Sequence, residues 1–432
     1  MGSAAQSARP RWISLVAQQR RPFYHTSPFK KTRHTISRTT VLQAPKDKLQ
    51  RSWLLFAALA ILAWFGSYLL QRHTWPSPGL WLLYSGIVLS YVLWTLWRAL
   101  PLNTRPGQTE LLPTLGWGNY LSLLRGLIIA LLAGFLFAPR PSMPLAWLIA
   151  GLYTAASVAD WLDGYVARRT NHVTVLGQRL DIEFDGLGVA VVTLLAVSFG
   201  QLPPWFLGVA LARYLFVLGL WWRTRAGRPV YELPPSVHRR VMAGMLMGMM
   251  TVVLWPIVPA AMVTVGGIMI GMPVLLGFLR DWLFVSGRLT AESQRYLRLQ
   301  RGLYVLSARS LPPLWRILLF AAMVVILRAA DPWFQPQNWL GLLLSWHVPV
   351  AGATATALAV VALLGITAVL LGFAGRLGAV LLFFPIGFDI ATRGLLWANG
   401  LALVCALGIA LFGTGPFSLW QPEAAYINQR SG

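Results

Sequence analysis

The chain has 432 residues, of which 56% are hydrophobic and only 11% are charged, and it contains 21 tryptophans. This composition excludes both a soluble globular protein and a disordered one, and it predicts a polytopic membrane protein. The net charge of +23 comes mostly from arginines between apolar segments, so we expect it to set membrane topology and to meet lipid headgroups, with no nucleic-acid partner.

The amino-terminal stretch, residues 1–50, is rich in Arg, Lys, Ser and Thr and has a single acid, Asp47. This pattern favours a disordered basic arm in the cytoplasm, held near the anionic leaflet. An organelle transit peptide, which is also rich in Arg and poor in acids, is the alternative. A two-helix membrane extension is predicted next, at residues 51–112, because the apolar segments near 52–71 and 79–98 are each long enough to cross a bilayer.

A core of six apolar segments is predicted at residues 113–290 and a membrane module of four at 312–432, with a basic cytoplasmic linker at 291–311 between them. The six lie near 118–138, 144–168, 177–200, 204–222, 238–256 and 259–285, and the four near 312–328, 348–372, 376–391 and 395–413. The predicted fold is therefore all-α, a polytopic transmembrane helical bundle of about 12 helices. The four-helix module vaguely resembles DoxX-like membrane modules, and no chemistry is assigned to it. Its Cys405 is the chain's single cysteine, which excludes an intramolecular disulfide.

The charge of the loops predicts the orientation of the bundle. With the amino terminus inside, basic stretches such as 223–228 and 288–309 fall inside as well. Arg140, Arg328, Asp331 and Arg393 are among the charged residues that fall outside. The positive-inside rule then predicts a multi-pass protein of a plasma or inner membrane with both termini in the cytoplasm.

One 26-residue window, DWLDGYVARRTNHVTVLGQRLDIEFD, lies between two apolar runs and contains five of the chain's thirteen acidic residues, of which four are aspartates. These aspartates are Asp160, Asp163, Asp181 and Asp185. Because a helix turns by about 100° per residue, the first two share a face, the last two share another, and the two faces can meet across a helical hairpin. Four carboxylates in a medium of low dielectric repel one another unless they share protons or hold cations, and hard divalent ions meet that need.

This spacing resembles the signature of the CDP-alcohol phosphotransferase family, Asp-x2-Asp-Gly-x2-Ala-Arg-x8-Gly-x3-Asp-x3-Asp, and matches it at all eight positions. The resemblance implies a membrane enzyme that moves a substituted phosphate group from a CDP-linked donor to an alcohol acceptor and releases CMP. It implies that the four aspartates bind divalent metal, a pair of Mg²⁺ or Mn²⁺ ions, and that Asp185 is also the catalytic base. The CDP-binding positions that it implies are Gly164, Ala167, Arg168 and Gly177. A hairpin whose acids merely pair with nearby arginines is the alternative.

A second polar set lies in the first of the six core segments. Asn119, Ser122 and Arg125 recur every three residues and share a helix face. The family often carries Asn-x-x-Thr-x-x-Arg there, so the set resembles a serine version of that pattern, which would contribute contacts to the CDP nucleotide. Helix-end capping together with a snorkelling arginine explains the triplet nearly as well.

Four basic residues are candidates for binding the acceptor: Arg213, His238, Arg239 and Arg240. Arg213 lies in the middle of a segment, where an unpaired guanidinium is costly, so we expect it to meet either a carboxylate or an acceptor phosphate. The other three open the next segment and suit a phosphorylated acceptor, and an ordinary positive-inside anchor fits them equally well. Arg280 and Asp281 are expected to pair, and Glu183, which points away from Asp181, is not expected to be a metal ligand.

The function favoured is transfer from CDP-diacylglycerol to a polyol or polyol phosphate, in phospholipid biosynthesis, at a site near the cytoplasmic face. The resemblance also implies a homodimer. Transfer from a soluble CDP-alcohol such as CDP-choline to a lipid alcohol is the alternative within the family. A 12-helix secondary transporter is the alternative from another class, although no repeat of the first six segments appears in the second six. A scaffold that has lost activity ranks last, because all four aspartates are present.

Overall fold

The structure, a computed structural model, describes residues 38–421 except 74, 235, 330–336, 347 and 349. Its helices are α1 Arg38–Gln71, α2 Pro78–Ala99, α3 Trp117–Ala133, α4 Met143–Arg169, α5 Val175–Ser198, α6 Leu207–Arg225, α7 Val237–Val253, α8 Ala260–Val285, α9 Gln294–Val305, α10 Leu311–Ala329, α11 Gln337–Ser345, α12 Ala351–Leu371, α13 Gly375–Arg393 and α14 Trp397–Phe412. A π-helical turn, Leu306–Ser310, joins α9 to α10. Isolated β-bridges are the only β-structure among the described residues, so the predicted all-α class is confirmed. Most of the predicted amino-terminal arm, together with Asp331 and His347, lies outside the described residues.

Each of the twelve predicted apolar segments coincides with a helix. In the described part of the chain, eight helices are long and apolar enough to span a bilayer. The apolar parts of α3, α7 and α14 are shorter than such a span, and α5 carries the acids of the carboxylate window. Twelve crossings therefore stay a prediction, while the helical positions of the segments are as expected.

The structure adds two helices to the predicted set and lengthens another. α9 lies in the linker, where hydropathy shows only a basic stretch because the apolar residues of this helix are confined to one side. α11 is too short to register as a crossing. α1 begins at Arg38 instead of near residue 52, since its first residues are polar and hydropathy detects only the apolar part of a helix.

The described apolar side chains form two main cores. The first lies among α2 to α8 and includes Trp81 and Phe206. The second lies among α10, α12, α13 and α14 and includes Met323. Helix α8 borders both, because Ile270 belongs to the first core and Met262 packs against the second. The described apolar residues therefore form two main interiors with α8 between them, and the division into a six-segment core and a four-segment module stays a prediction.

The loop between α2 and α3 braces the turn at which the carboxylate hairpin reverses direction. The carbonyl of Thr104 accepts a hydrogen bond from the amide of Val175 at 2.9 Å. Nε2 of His172 lies 3.0 Å from the carbonyl oxygen of Thr114. Gly116 has a φ of +80°, and a Cβ there would lie 2.1 Å from the ring of His172, so this approach requires glycine. The site hairpin is thus fixed from outside by the loop between α2 and α3.

Close contact between α12 and α13 makes a test of the second core. A Cβ at Gly365 would lie 2.9 Å from Cγ of Leu382 and 3.0 Å from the carbonyl oxygen of Gly378. We expect Gly365→Val to lower the free energy of unfolding by about 1–3 kcal/mol through overpacking. Gly352→Val, on the same helix, is the control, because nothing lies within 4 Å of a Cβ there. The measurement is the thermal unfolding midpoint in detergent followed by circular dichroism, and equal midpoints for the two variants would contradict the described packing.

Candidate active site

Two helices bring the predicted carboxylates to one place. α4 carries Asp160 and Asp163 near its carboxyl end, and α5 carries Asp181 and Asp185 just after the turn. One carboxylate oxygen from each of Asp160, Asp163 and Asp181 lies within 4.8 Å of the other two. The two acidic faces therefore meet across the hairpin as the spacing predicts, with Asp185 one turn further along α5.

The guanidinium of Arg125, on α3, stands among these carboxylates. It forms ion pairs with Asp181 at 3.1 Å, with Asp185 at 2.8 Å and, through Nη1, with Asp160. Its side chain is only 4% exposed, which excludes the snorkelling arginine that the sequence left open. A buried cation facing several carboxylates offsets part of their repulsion, and it ties α3 to both α4 and α5.

The other two residues of the α3 triplet also contact the hairpin. Oγ of Ser122 donates a hydrogen bond to Oδ2 of Asp163 at 2.6 Å. Nδ2 of Asn119 donates to Oγ1 of Thr174 at 3.2 Å, and the same Oγ1 accepts a hydrogen bond from the amide of Gly177 at 3.0 Å. Thr174 is the N-cap of α5. The triplet therefore orients one carboxylate and the start of α5, and its contact with a nucleotide stays a prediction.

Small residues let these groups approach closely. A Cβ at Gly177 would lie 2.4 Å from Oδ1 of Asn119. A Cβ at Gly164 would lie 3.1 Å from Nη1 of Arg168, so the exposed guanidinium of Arg168 folds back over the glycine. Neighbouring protein atoms thus already use the space that these glycines leave. Binding of CDP at Gly164, Ala167, Arg168 and Gly177 remains a prediction.

A cavity of about 390 Å³ opens beside the carboxylates, between α3, α4, α5 and α7. Asp160 and Asp185 line it, together with Ser157 and Thr251, whose hydroxyl oxygens are 3.0 Å apart. Gly248 also lines the cavity, and nothing lies within 4 Å of a Cβ built on it. The cavity is therefore open enough to admit part of a substrate next to two of the four carboxylates.

Sequence reasoning missed the hydroxyl groups of this region. Tyr153 and Ser157 line the cavity and precede Asp160 by seven and three residues, a spacing that places all three on one helix face. Thr174 could have been found from its position directly before an apolar helix, where N-cap residues lie. Thr251 lies on α7, far along the chain from the carboxylates, and gives no signal in the sequence.

Arg213 reaches α5 from the middle of α6. Its Nη1 donates a hydrogen bond to the carbonyl of Ile182, which stands between Asp181 and Asp185 in the chain. Gly186 makes room for this contact, because a Cβ there would lie 2.4 Å from the same nitrogen. In the described contacts Arg213 thus meets a neutral main-chain carbonyl in place of the expected anion, and its contact with an acceptor phosphate stays a prediction.

Arg239, near the start of α7, contacts an acid near the end of α8. Its Nη1 lies 3.3 Å from Oδ2 of Asp281, and its Nη2 donates to the carbonyl of Pro234 at 2.5 Å. Arg280 pairs with the same carboxylate at 2.8 Å, as the sequence predicts. The side chains of His238 and Arg240 lie outside the described residues. These contacts link the start of α7 to the end of α8 without an acceptor, so acceptor binding by this cluster is untested.

Glu183 faces away from the carboxylate cluster. It pairs with Arg179 at 2.8 Å, and the hydroxyl of Tyr91 on α2 donates to it at 3.0 Å. It therefore links α5 to the amino-terminal extension, in agreement with its exclusion from the ligand set.

The helices around this cluster match a known family. Residues 116–279 fit the family model described as CDP-alcohol phosphatidyltransferase. A CDP-diacylglycerol–glycerol-3-phosphate 3-phosphatidyltransferase of Pseudomonas fluorescens is 32% identical over 136 residues, which cover 30% of this chain and 67% of that protein. The chain belongs to the CDP-alcohol phosphatidyltransferase family. With eight helices apolar enough to span a bilayer, this membership makes it an integral membrane protein.

Other relatives match over shorter fractions of their length. A Bacillus subtilis protein with the same name as the Pseudomonas one is 40% identical over 80 residues, covering 18% of this chain and 42% of that protein. A Mycobacterium tuberculosis protein provisionally named cardiolipin synthase is 29% identical over 140 residues, covering 32% of this chain and 63% of that protein. The CDP-alcohol phosphatidyltransferase chain thus spans less than two thirds of either relative. No solved structure matches it.

The donor set of the cluster fits a divalent metal ion. Carboxylate oxygens are the hard ligands that Mg²⁺ and Mn²⁺ take, and three of them lie within 4.8 Å of one another. Among the described side chains, the ion pairs of Asp160, Asp181 and Asp185 all go to Arg125, so these pairs leave the cluster with net negative charge that a cation would neutralise.

The role of Arg125 can be tested by removing its charge. Arg125→Met leaves Asp160, Asp181 and Asp185 facing one another, and we expect a loss of about 3 kcal/mol of stability, the lower end for a broken buried pair because the carboxylates are partly exposed. The measurement is the unfolding of the detergent-purified protein, first in a chelator and then with Mn²⁺. A bound cation should restore part of the lost stability.

Arg179→Met is the matched control. It removes a half-exposed arginine from an ion pair with Glu183 on the same helix, a change expected to cost less than about 1 kcal/mol. If the two variants unfold alike in chelator, Arg125 does not hold the carboxylates together.

Proposed function

We propose that this family member transfers a substituted phosphate group from CDP-diacylglycerol to a polyol or polyol phosphate and releases CMP. The strongest support is the convergence of Asp160, Asp163 and Asp181 beside a cavity that Asp185 lines. The donor class follows from two relatives whose names include CDP-diacylglycerol, and the integral membrane position suits a lipid donor. The same names specify glycerol 3-phosphate for those proteins, which is one member of the acceptor class proposed here.

Asp185 is the proposed catalytic base. Its side chain is 31% exposed and lines the cavity, and the ion pair between Oδ1 and Arg125 orients it. In the proposed reaction the acceptor hydroxyl gives its proton to this carboxylate, and its oxygen forms a bond to the phosphorus nearer the lipid. The bond from that phosphorus to the CMP oxygen breaks, and CMP leaves.

The metal set is proposed to be Asp160, Asp163, Asp181 and Asp185, with two Mg²⁺ or Mn²⁺ ions. Bound divalent cations would neutralise charge on the diphosphate of the donor. Ser122 holds Asp163 in place through its 2.6 Å hydrogen bond. Arg125 holds the other three, so the ligands are positioned before substrate arrives.

The nucleotide is proposed to bind against the small-residue side of the hairpin. The positions carried over from the family are Gly164, Ala167, Arg168, Gly177, Asn119, Ser122 and Arg125. Arg168 is exposed, so its guanidinium can turn from Gly164 toward a phosphate without breaking a buried contact. For the acceptor, Arg213 is better placed than Arg239, the other candidate whose side chain the structure describes, because it reaches α5 within one turn of Asp185.

The orientation proposed for the site is the cytoplasmic face, with both termini on that side. The support is the excess of arginine in the loops that would then lie inside. A homodimer is proposed from the family resemblance alone.

Release of CMP tests the reaction. Purified protein would be given labelled CDP-diacylglycerol with a panel of alcohols and phosphoalcohols, with Mg²⁺, Mn²⁺ or a chelator. We expect a lipid product and CMP only with a divalent ion, and a loss of about 10²–10⁴ in rate for Asp185→Asn through removal of the base. Asp181→Asn should lose activity comparably by weakening metal binding, with partial recovery at high Mg²⁺.

Glu183→Gln is the control for this assay, since it changes an acid between Asp181 and Asp185 that faces away from the cluster. Its turnover rate should stay within a few-fold of the rate of the unsubstituted protein. Undiminished turnover in Asp185→Asn would contradict the assignment of Asp185 as the base. Release of CMP without an acceptor would contradict the transferase proposal.

Filling the cavity gives an independent test of where substrate binds. Gly248→Leu places a side chain in open space beside Asp160 and Asp185, so the fold should be retained. We expect KM for one of the two substrates to rise about tenfold, the equivalent of a steric clash of about 1.4 kcal/mol. Gly66→Leu, on α1, is the control, because a Cβ there also meets nothing within 4 Å. Unchanged kinetics in Gly248→Leu would place substrate outside this cavity.

A further inference from the structure

Helix α9 has two chemically different faces, and neither is covered. Arg295, Arg298 and Arg301 recur every three residues along one side. Leucines and a tyrosine occupy the other side, where Leu299 is 61% and Tyr304 64% exposed. No residue of α9 is buried among the residues that the structure describes. A basic amphipathic helix with an uncovered apolar face is typical of a helix that lies in a membrane interface.

The length of the helical run places α9 outside the hydrocarbon layer. α9, the π-helical turn and α10 form one run, Gln294–Ala329, of 36 residues. At about 1.5 Å per residue this run is about 54 Å long, whereas the hydrocarbon core is about 30 Å thick. The apolar α10 supplies that crossing, so α9 lies at headgroup level. The π-helical turn, Leu306–Ser310, is a position at which helices bend, which lets α9 tilt toward the membrane plane.

The start of α9 is attached to the end of α8. The ring of Tyr296 packs edge-on against Phe284, with ring centroids 5.2 Å apart. Four helices, α5 to α8, lie between the turn of the carboxylate hairpin and this point, and with the alternating directions of the predicted topology α9 lies at the same end of the bundle as that turn. It is thus next to the leaflet from which the site is reached.

A groove of about 500 Å³ lies where α9 meets the π-helical turn. Its lining combines two guanidinium groups, Arg298 and Arg301, with the hydroxyl of Ser310 and apolar side chains. Gly302 keeps it open, because nothing lies within 4 Å of a Cβ there. The lining includes no acid, so the groove suits an anion that carries an apolar part.

We propose that α9 binds an anionic phospholipid in this groove, with the lipid phosphate between Arg298 and Arg301 and the start of an acyl chain against Val305 and Leu306. Charge complementarity favours this occupant over others. A second copy of α9 would bring like-charged arginines together, and the chain before Arg38 is itself rich in Arg and Lys. The anionic leaflet supplies both the charge and the apolar surface that the helix lacks. The proposal does not rest on the proposed transferase reaction.

Binding of the lipid can be measured on the full chain. Native mass spectrometry of detergent-purified protein, titrated with phosphatidylglycerol or phosphatidylcholine, should show that R298Q/R301Q weakens phosphatidylglycerol binding about thirtyfold and leaves phosphatidylcholine unchanged. R140Q/R328Q is the control, since both arginines are exposed and lie in loops or helix ends away from α9. Equal phosphatidylglycerol affinity in the two double variants would overturn the proposal, as would displacement of the lipid by soluble glycerol phosphate, which would assign the groove to a free phosphate.

The depth of α9 gives a second readout that does not depend on affinity. The chain's single cysteine, Cys405, is buried, so a C405S background with Leu299→Cys carries one accessible label position. A fluorophore there should be quenched by a nitroxide on the lipid headgroup more strongly in vesicles containing phosphatidylglycerol than in phosphatidylcholine vesicles. Equal quenching in both vesicles would overturn the proposal, and so would a signal that changes on dilution with unlabelled protein, which would make the occupant a second copy.

Discussion

The site depends on one buried cation placed among carboxylates from two helices. Arg125 reaches Asp160 on α4 and both Asp181 and Asp185 on α5, so a single side chain joins three helices at the place where their acids converge. Without a cation, these carboxylates would repel one another strongly in a medium of low dielectric. The compensation is incomplete, because in the described part of the chain the ion pairs of three aspartates all go to this one guanidinium. The same arrangement therefore stabilises the hairpin and leaves a negative cluster suited to divalent ions, which is the chemistry that membership of the CDP-alcohol phosphatidyltransferase family leads one to expect.

The sequence was most informative within the 26-residue window. Helical periodicity within one hairpin is local, so the two acidic faces and their meeting followed from spacing alone. Helical periodicity could not predict contacts between segments that are distant in the sequence. The triplet of Asn119, Ser122 and Arg125 could be placed on one face, but nothing in its spacing showed that it would hold the carboxylates and the N-cap of α5. For the same reason the pairing of Arg239 with Asp281, 42 residues away, could not be anticipated.

The fold shows the same division between local and distant information. Hydropathy located twelve apolar segments that coincide with helices, because a long run of apolar residues is sufficient evidence that the segment is buried in lipid or protein. It passed over α9, whose leucines alternate with arginines, although the three-residue recurrence of those arginines was visible in the chain. It also could not tell which helices would share a core. The grouping of α2 with the carboxylate helices, and of α10 with α12, α13 and α14, arises from tertiary packing that a one-dimensional profile does not contain.

Helix α8 packs against both main hydrophobic cores. One side, with Val263 and Ile270, faces the interior that contains the site, and the other, with Met262 and Val265, faces the carboxyl-terminal module. Apolar side chains of this kind pack about equally well against protein and against lipid tails, because the hydrophobic effect does not drive helices together within a bilayer. Helix α8 therefore contributes side chains to both interiors, so a substitution on one of its sides acts first on the interior that this side faces.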